Sequence, residues 1–179
     1  QKMKTKLNQS KLKLAIVSAM LLGTAGITVP AYAATDTATM AVSTSVSMSC
    51  TITAGAMTFA SYDPTASADN DTTATITSTC TAGGAAVITM GQGNNPQSGS
   101  SATTPLRAMS DGGEVPEILL YELYSDSAGG TAWGDTDATG KGITADGTAQ
   151  AFTAYGRIPK NQTVSSGTFN DSVLVTLTY

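Results

Sequence analysis

Ala38-Thr-Met-Ala-Val-Ser-Thr-Ser-Val-Ser-Met48 alternates apolar and small polar residues over the length of a whole strand. Strand side chains repeat every two residues, so Met40, Val42, Val46 and Met48 share one face with Thr44 between them, and Ala41, Ser43, Ser45 and Ser47 share the other. No glycine or proline separates this segment from Cys50 and Ile52; the first breaker is Gly55. A strand of a self-contained sheet would be joined to its neighbour by a short turn. This one lies ahead of the first cysteine and outside the domain that follows, which predicts a strand made for another molecule.

Upstream, Lys4, Lys6, Lys11 and Lys13 precede a short apolar core, Leu14 to Leu22, and Ala31-Tyr32-Ala33 is a small-x-small cleavage pattern. Together these read as a secretory signal peptide over residues 1–33, with Ala34 the first mature residue. The apolar run is interrupted by Gly23, Gly26 and Pro30 and is shorter than the ~20 residues of a membrane span. Of nine basic residues, five lysines lie in this leader and all thirteen acids lie beyond it, leaving four against thirteen and a net charge of −9. Such a chain lacks the basic surface that supplies most nucleic-acid affinity, and the polybasic patch that anionic lipid attracts. The 146 residues that remain, 179 less 33, suffice for one hydrophobic core.

Cys50 and Cys80 are the only cysteines; in an oxidising compartment an even pair predicts a disulfide that pins the start of the domain. With no histidine, two thiols make a poor metal site, and Ser-His-Asp or Cys-His catalysis has no base. Glu114, Glu117 and Glu122 read as solvated carboxylates, Glu122 standing within an alternating strand. Gly91-Gln-Gly93 lacks the third glycine of a dinucleotide loop, and Asp135-Thr-Asp137-Ala-Thr139-Gly140 lacks the terminal glutamate of a calcium loop. The expectation is no enzyme and no cofactor; Trp133, the only tryptophan, reads either as core or as an exposed contact on a loop.

Val-, Ile-, Thr- and Tyr-rich runs predict strands at 47–53, 56–62, 72–82, 85–91, 118–125, 149–157 and 172–179, punctuated by Asp63-Pro64, Gly83-Gly84, Gly93 to Pro96, Asp111 to Gly113, Gly129-Gly130 and Asp146-Gly147. Seven short strands without helical periodicity predict an antiparallel sandwich. In the last run Val173, Val175, Leu177 and Tyr179 share a face, with no residue after Tyr179 to add a further strand. The expectation is a sandwich with an unfilled groove at that edge.

The ordered set Cys50, Met57-Thr-Phe59-Ala-Ser-Tyr62-Asp63, Cys80-Thr81, Leu106-Arg107-Ala-Met109, Leu120-Tyr121-Glu-Leu-Tyr124-Ser-Asp126, Thr131-Ala-Trp133-Gly134, Tyr155-Gly156-Arg-Ile158-Pro159 and Gly167-Thr-Phe169-Asn-Asp171-Ser-Val173 through Tyr179 resembles the spore coat protein U-like domain. That family includes the pilins of archaic, Csu-type chaperone–usher pili. The resemblance covers nearly all of the mature chain; Ala60 stands where the family commonly has glycine. It implies an all-β, incomplete immunoglobulin-like sandwich lacking its last strand, completed first by a periplasmic chaperone and then by the N-terminal strand of a neighbouring subunit.

On this reading residues 1–33 are the signal peptide, 34–49 the donor extension and 50–179 the pilin domain. The donor face is Met40, Val42, Thr44, Val46 and Met48, and the acceptor edge is Val173, Val175, Leu177 and Tyr179. The implied partners are further pilin subunits, a chaperone and an outer-membrane usher, with export through the periplasm to a surface pilus that supports adhesion and biofilm. The contrasting expectation is a monomeric adhesin or coat-surface protein that folds the strand at 38–48 back into its own groove.

Overall fold

A computed structural model describes residues 33–179. The signal-peptide reading lies, but for Ala33, outside the described residues. The chain divides after Ser43 into an N-terminal unit and a unit spanning Thr44–Tyr179. In the first, residues 33–43 carry no regular secondary structure and are exposed.

The second unit is all β among the described residues. Its strands are β1 (Cys50–Ala54), β2 (Asn70–Cys80), β3 (Ala85–Met90), β4 (Arg107–Ser110), β5 (Ile118–Tyr124), β6 (Lys141–Thr144), β7 (Ala149–Ile158) and β8 (Val175–Thr178). They form two antiparallel sheets, β1-β2-β7-β5-β4 and β6-β3-β8. The alternation predicted from sequence is visible in β5, where Leu119, Tyr121 and Leu123 are buried while Ile118, Leu120 and Glu122 face outward. Those residues join Ile76, Ile88, Met90, Ile143, Ala154 and Ile158 in one core. Trp133 is fully buried among them and donates its indole N–H to the Ile88 carbonyl at 2.8 Å, so its polar handle is satisfied without water.

Three features depart from the sequence expectation. Residues 56–62 form no ladder, although Met57 and Phe59 are half-buried in alternation with exposed neighbours, a period that breaks at exposed Ala60 and Ser61 before half-buried Tyr62. The carbonyls of Thr58 and Ala60 are satisfied by side chains of β2, Thr72 Oγ1 at 2.9 Å and Asn70 Nδ2 at 2.8 Å. The side chains of Met57 and Phe59 lie against Gly156 of β7, in the space a Cβ would occupy. The segment keeps a strand's period only as far as Ala60 and is tethered by side chains. Second, β4 and β6 were not expected; each has four residues and draws its stability from its neighbour. Third, β1 begins at Cys50 and not at Ser47, while β8 spans only Val175–Thr178.

Cys50 and Cys80 are disulfide-bonded directly across β1 and β2, with Cα atoms 4.1 Å apart. Replacing both with serine is expected to cost about 3–4 kcal/mol for a loop of this length, read as a lower midpoint in urea unfolding. On the outer face of the five-stranded sheet Arg157 makes a bidentate pair with Asp71 at 2.7 and 2.8 Å and reaches Asp69 at 3.4 Å. The hydrogen bonds from Arg157 hold the Asp71 carboxyl below its ordinary pKa. A depressed folded-state pKa stabilises above the unfolded carboxylate range and loses that contribution as pH falls through it. The pair is well exposed and screened, so Asp71→Asn is expected to cost on the order of 0.5 kcal/mol at neutral pH. In thermal melts that difference should shrink below pH 3 and in molar salt.

Candidate assembly groove and N-terminal segment

The edge strands β1 and β8 approach each other, but beyond them the two sheets are not closed. A groove of about 480 Å³ opens between residues 54–59, which continue β1, and residues 169–175, which lead into β8. Its floor is core: Ile76 of β2, Met90 of β3, Tyr121 and Leu123 of β5, and Ala154 of β7. Met57, Phe59, Met109, Phe169 and Asn170 are shared with a second space of about 730 Å³ that runs on past Leu119 and Ile158 to residues 164–168. The ring of Phe59 meets that of Tyr121 edge-on, centroids 6.4 Å apart, which sets the wall against the floor.

The acceptor-edge residues predicted from sequence fall on this rim unequally. Val173, Val175 and Leu177 are half-buried against the core, whereas Tyr179 is 58% exposed. Leu174, off the pattern in the sequence, points outward and is 74% exposed. Strand β8 pairs with β3 along one side, and among the described strands nothing pairs with its other side. Unpaired N–H and C=O groups beside an apolar trough are the two elements that an added strand requires.

Of the donor-face residues, Met40, Val42 and Val46 are 83%, 86% and 81% exposed, and Thr44 is exposed as well. Met48 stands apart: it is half-buried, packs on the core of its own domain, and its thioether lies directly on Gly84. Ser49 is held beside it, accepting from the Thr81 N–H at 2.9 Å and donating to Thr81 Oγ1 at 3.2 Å. Backbone bonds and the disulfide thus fix the chain from residue 48 onward, and the solvent-exposed alternating run ends at Ser47. The physical cause is Gly84, whose missing side chain leaves a seat for a long flexible one.

A polar cluster that the sequence reading did not single out supports the groove. Arg107, 2% exposed, donates to the carbonyls of Gly91 (2.7 Å), Met90 (2.8 Å) and Trp133 (2.8 Å). Burial pulls its pKa below the ordinary arginine value. Tyr121 donates its hydroxyl to Asp171 Oδ2 at 2.6 Å, and burial together with that bond raises the phenol's pKa. Asp171 also accepts from the Asn94 N–H at 2.8 Å and Asn95 Nδ2 at 3.2 Å. The signal was present in the sequence: Asp171 has the same parity as Val173, Val175 and Leu177, so an acid stands in an inward-facing row. Among the described residues no group of three or more potential ligands is arranged to hold a metal.

This combination defines a class: an immunoglobulin-like sandwich of antiparallel sheets with the place of one strand left open. A family model, the Spore Coat Protein U domain, matches residues 36–176, and the chain belongs to that family. It is 43% identical over 94 residues to Protein U of Myxococcus xanthus, covering 52% of each chain, so it spans about half the length of that curated relative. Among solved structures it resembles the chaperone–tip adhesion subunit pre-assembly complex of CsuC and CsuE, from archaic chaperone–usher Csu pili of Acinetobacter baumannii. There the TM-score is 0.55 at 18% identity, over 75% of this chain and 40% of that one. At that identity the likeness is one of fold.

Proposed function

We propose that this protein is a structural shaft subunit of a bacterial chaperone–usher pilus, which polymerises by inserting its residues 38–47 into the groove of the next copy. The observation that carries the reading is the pairing, in one chain, of an exposed segment of alternating sequence with an apolar groove flanked by an unpaired strand edge. Family membership and the fold likeness to a pilus subunit support it. Met40, Val42 and Val46 supply the apolar contacts, Thr44 sits between them, and Met48 stays with its own domain as the base of the donor. Val173, Val175 and Leu177 line the acceptor edge. Before assembly a periplasmic chaperone covers the groove and an outer-membrane usher passes the subunit to the surface. The signal peptide read at residues 1–33 provides entry to that route, and the assembled fibre serves adhesion and biofilm formation. A donor segment ahead of the domain favours the shaft over the tip, because a terminal subunit has no further copy to complete.

The test is electrophoresis in SDS of material sheared from the native cell surface, unheated beside boiled and probed for this chain. A regular ladder that collapses to one band only on boiling is expected. A monomer in both lanes would favour a coat-surface protein whose strand returns to its own groove.

A further inference from the structure

We propose that Asp171 is a positioning residue for strand uptake, holding the groove's 169–175 edge away from residues 54–59 so that the groove stands open before a donor arrives; this deepens, and rests on, the donor-strand reading. An empty apolar trough tends to close, since bringing its walls together removes apolar surface from water and restores lost dispersion contacts. The moving part would be the weaker edge. β8 has four residues and one neighbour, and the residues before it have no ladder of their own beyond an isolated bridge between Asn170 and Ser110.

Along this edge Asp171, Val173, Val175 and Leu177 are half-buried and alternate with exposed Ser172, Leu174 and Thr176. A carboxylate in an inward-facing aliphatic row is costly unless its acceptors are filled. Asp171 is filled from two directions, by Tyr121 on the groove floor and by Asn94 and Asn95 in the loop after β3. That loop is built around it: Gly93, at φ 80°, has the carboxylate in the space a Cβ would take. Three residues after Asp171, the Leu174 carbonyl accepts from the Gly91 N–H at 2.9 Å, and the Gly91 carbonyl is itself held by Arg107. All these bonds draw the edge toward β3, β4 and β5. Among the described residues none runs across the groove to 54–59. The edge is therefore set by polar bonds that do not depend on the groove being filled, and the donor meets a preformed site.

The experiment uses the full disulfide-bonded chain and a fluorescent peptide of residues 38–47, following association by anisotropy well below the melting temperature. Asp171→Asn, which removes the charge and one acceptor oxygen, is expected to slow peptide association about tenfold while leaving dissociation of the formed complex unchanged. Tyr121→Phe keeps the carboxylate and its two loop partners and is expected to slow it about threefold. In both variants the amides of Val173, Val175 and Leu177 should exchange faster than wild type in the peptide-free chain and equally fast once peptide is bound. A purely structural role would instead lower the melting temperature and speed dissociation, and that result, or unchanged association in both variants, overturns the proposal. Should Asp171→Asn fail to fold, Tyr121→Phe decides. If the wild-type chain takes up no peptide, the donor-strand reading fails, and the exchange comparison in the peptide-free chain still decides whether Asp171 holds the edge.

Discussion

Val46→Asp is expected to abolish the heat-labile ladder in unheated SDS gels and leave only monomer. Val46 is exposed in the single chain, so the substitution does nothing to the fold of its own domain and acts only where the strand is received. Seating valine in an apolar groove gains roughly 1.5–3 kcal/mol, which the variant forgoes. It would also bring a carboxylate, unpaired, against the aliphatic and aromatic groove lining, costing several kcal/mol more. The two together exceed about 5 kcal/mol, more than a thousandfold in an equilibrium constant. Ser45→Asp, one residue away on the opposite face, is the control and should retain the ladder, because period two turns that side chain from the groove. An undiminished ladder from Val46→Asp would mean that the register is wrong or that another segment is the donor.

Arg107→Met should produce the largest loss of stability from one substitution, about 3–5 kcal/mol, or a drop in melting temperature of roughly 10–20 °C. The side chain is almost wholly buried, and its fork serves three backbone carbonyls from two parts of the chain: Met90 and Gly91 at the end of β3, and Trp133. Methionine fills much of the volume but strands those acceptors, and an orphaned buried carbonyl costs about 1–3 kcal/mol. Asp135 and Asp171 lie near enough to feel the guanidinium, and its removal leaves both without a nearby cation. Arg107→Lys should recover little, since an ammonium lacks the planar fork that reaches all three carbonyls. Differential scanning calorimetry checks both; a Met variant melting within 3 °C of wild type would show that water or a backbone shift satisfies the carbonyls.

The groove and the polar cluster differ in how readily they could be read from the chain. Met40, Val42 and Val46 announced themselves because period two in an unpunctuated run is a local property. Val173, Val175 and Leu177 were legible for the same reason. Met48 follows the same parity, yet its place was settled by Gly84, 36 positions away, and no local pattern reveals that seat. Residues 56–60 have a strand's alternation without a strand's bonds, since the partners for the Thr58 and Ala60 carbonyls are side chains of Thr72 and Asn70. For Arg107 the sequence offered a place in an ordered motif but no role, since the end of β3 and the Trp133 carbonyl meet it only in the folded chain.

By itself the sequence determined the all-β class, the antiparallel sandwich, the cysteine pair and the alternating pattern of the segment ahead of Cys50. Each rests on composition, on period two or on a count of two cysteines, quantities that need no knowledge of what lies across the sheet. Tertiary structure alone decided where the free segment ends, that residues 54–59 form the wall opposite the 173–177 edge, and how Arg107, Tyr121 and Asp171 brace the groove. Those depend on contacts between residues tens of positions apart, whose geometry exists only once two sheets are stacked and one strand's place between them is left open.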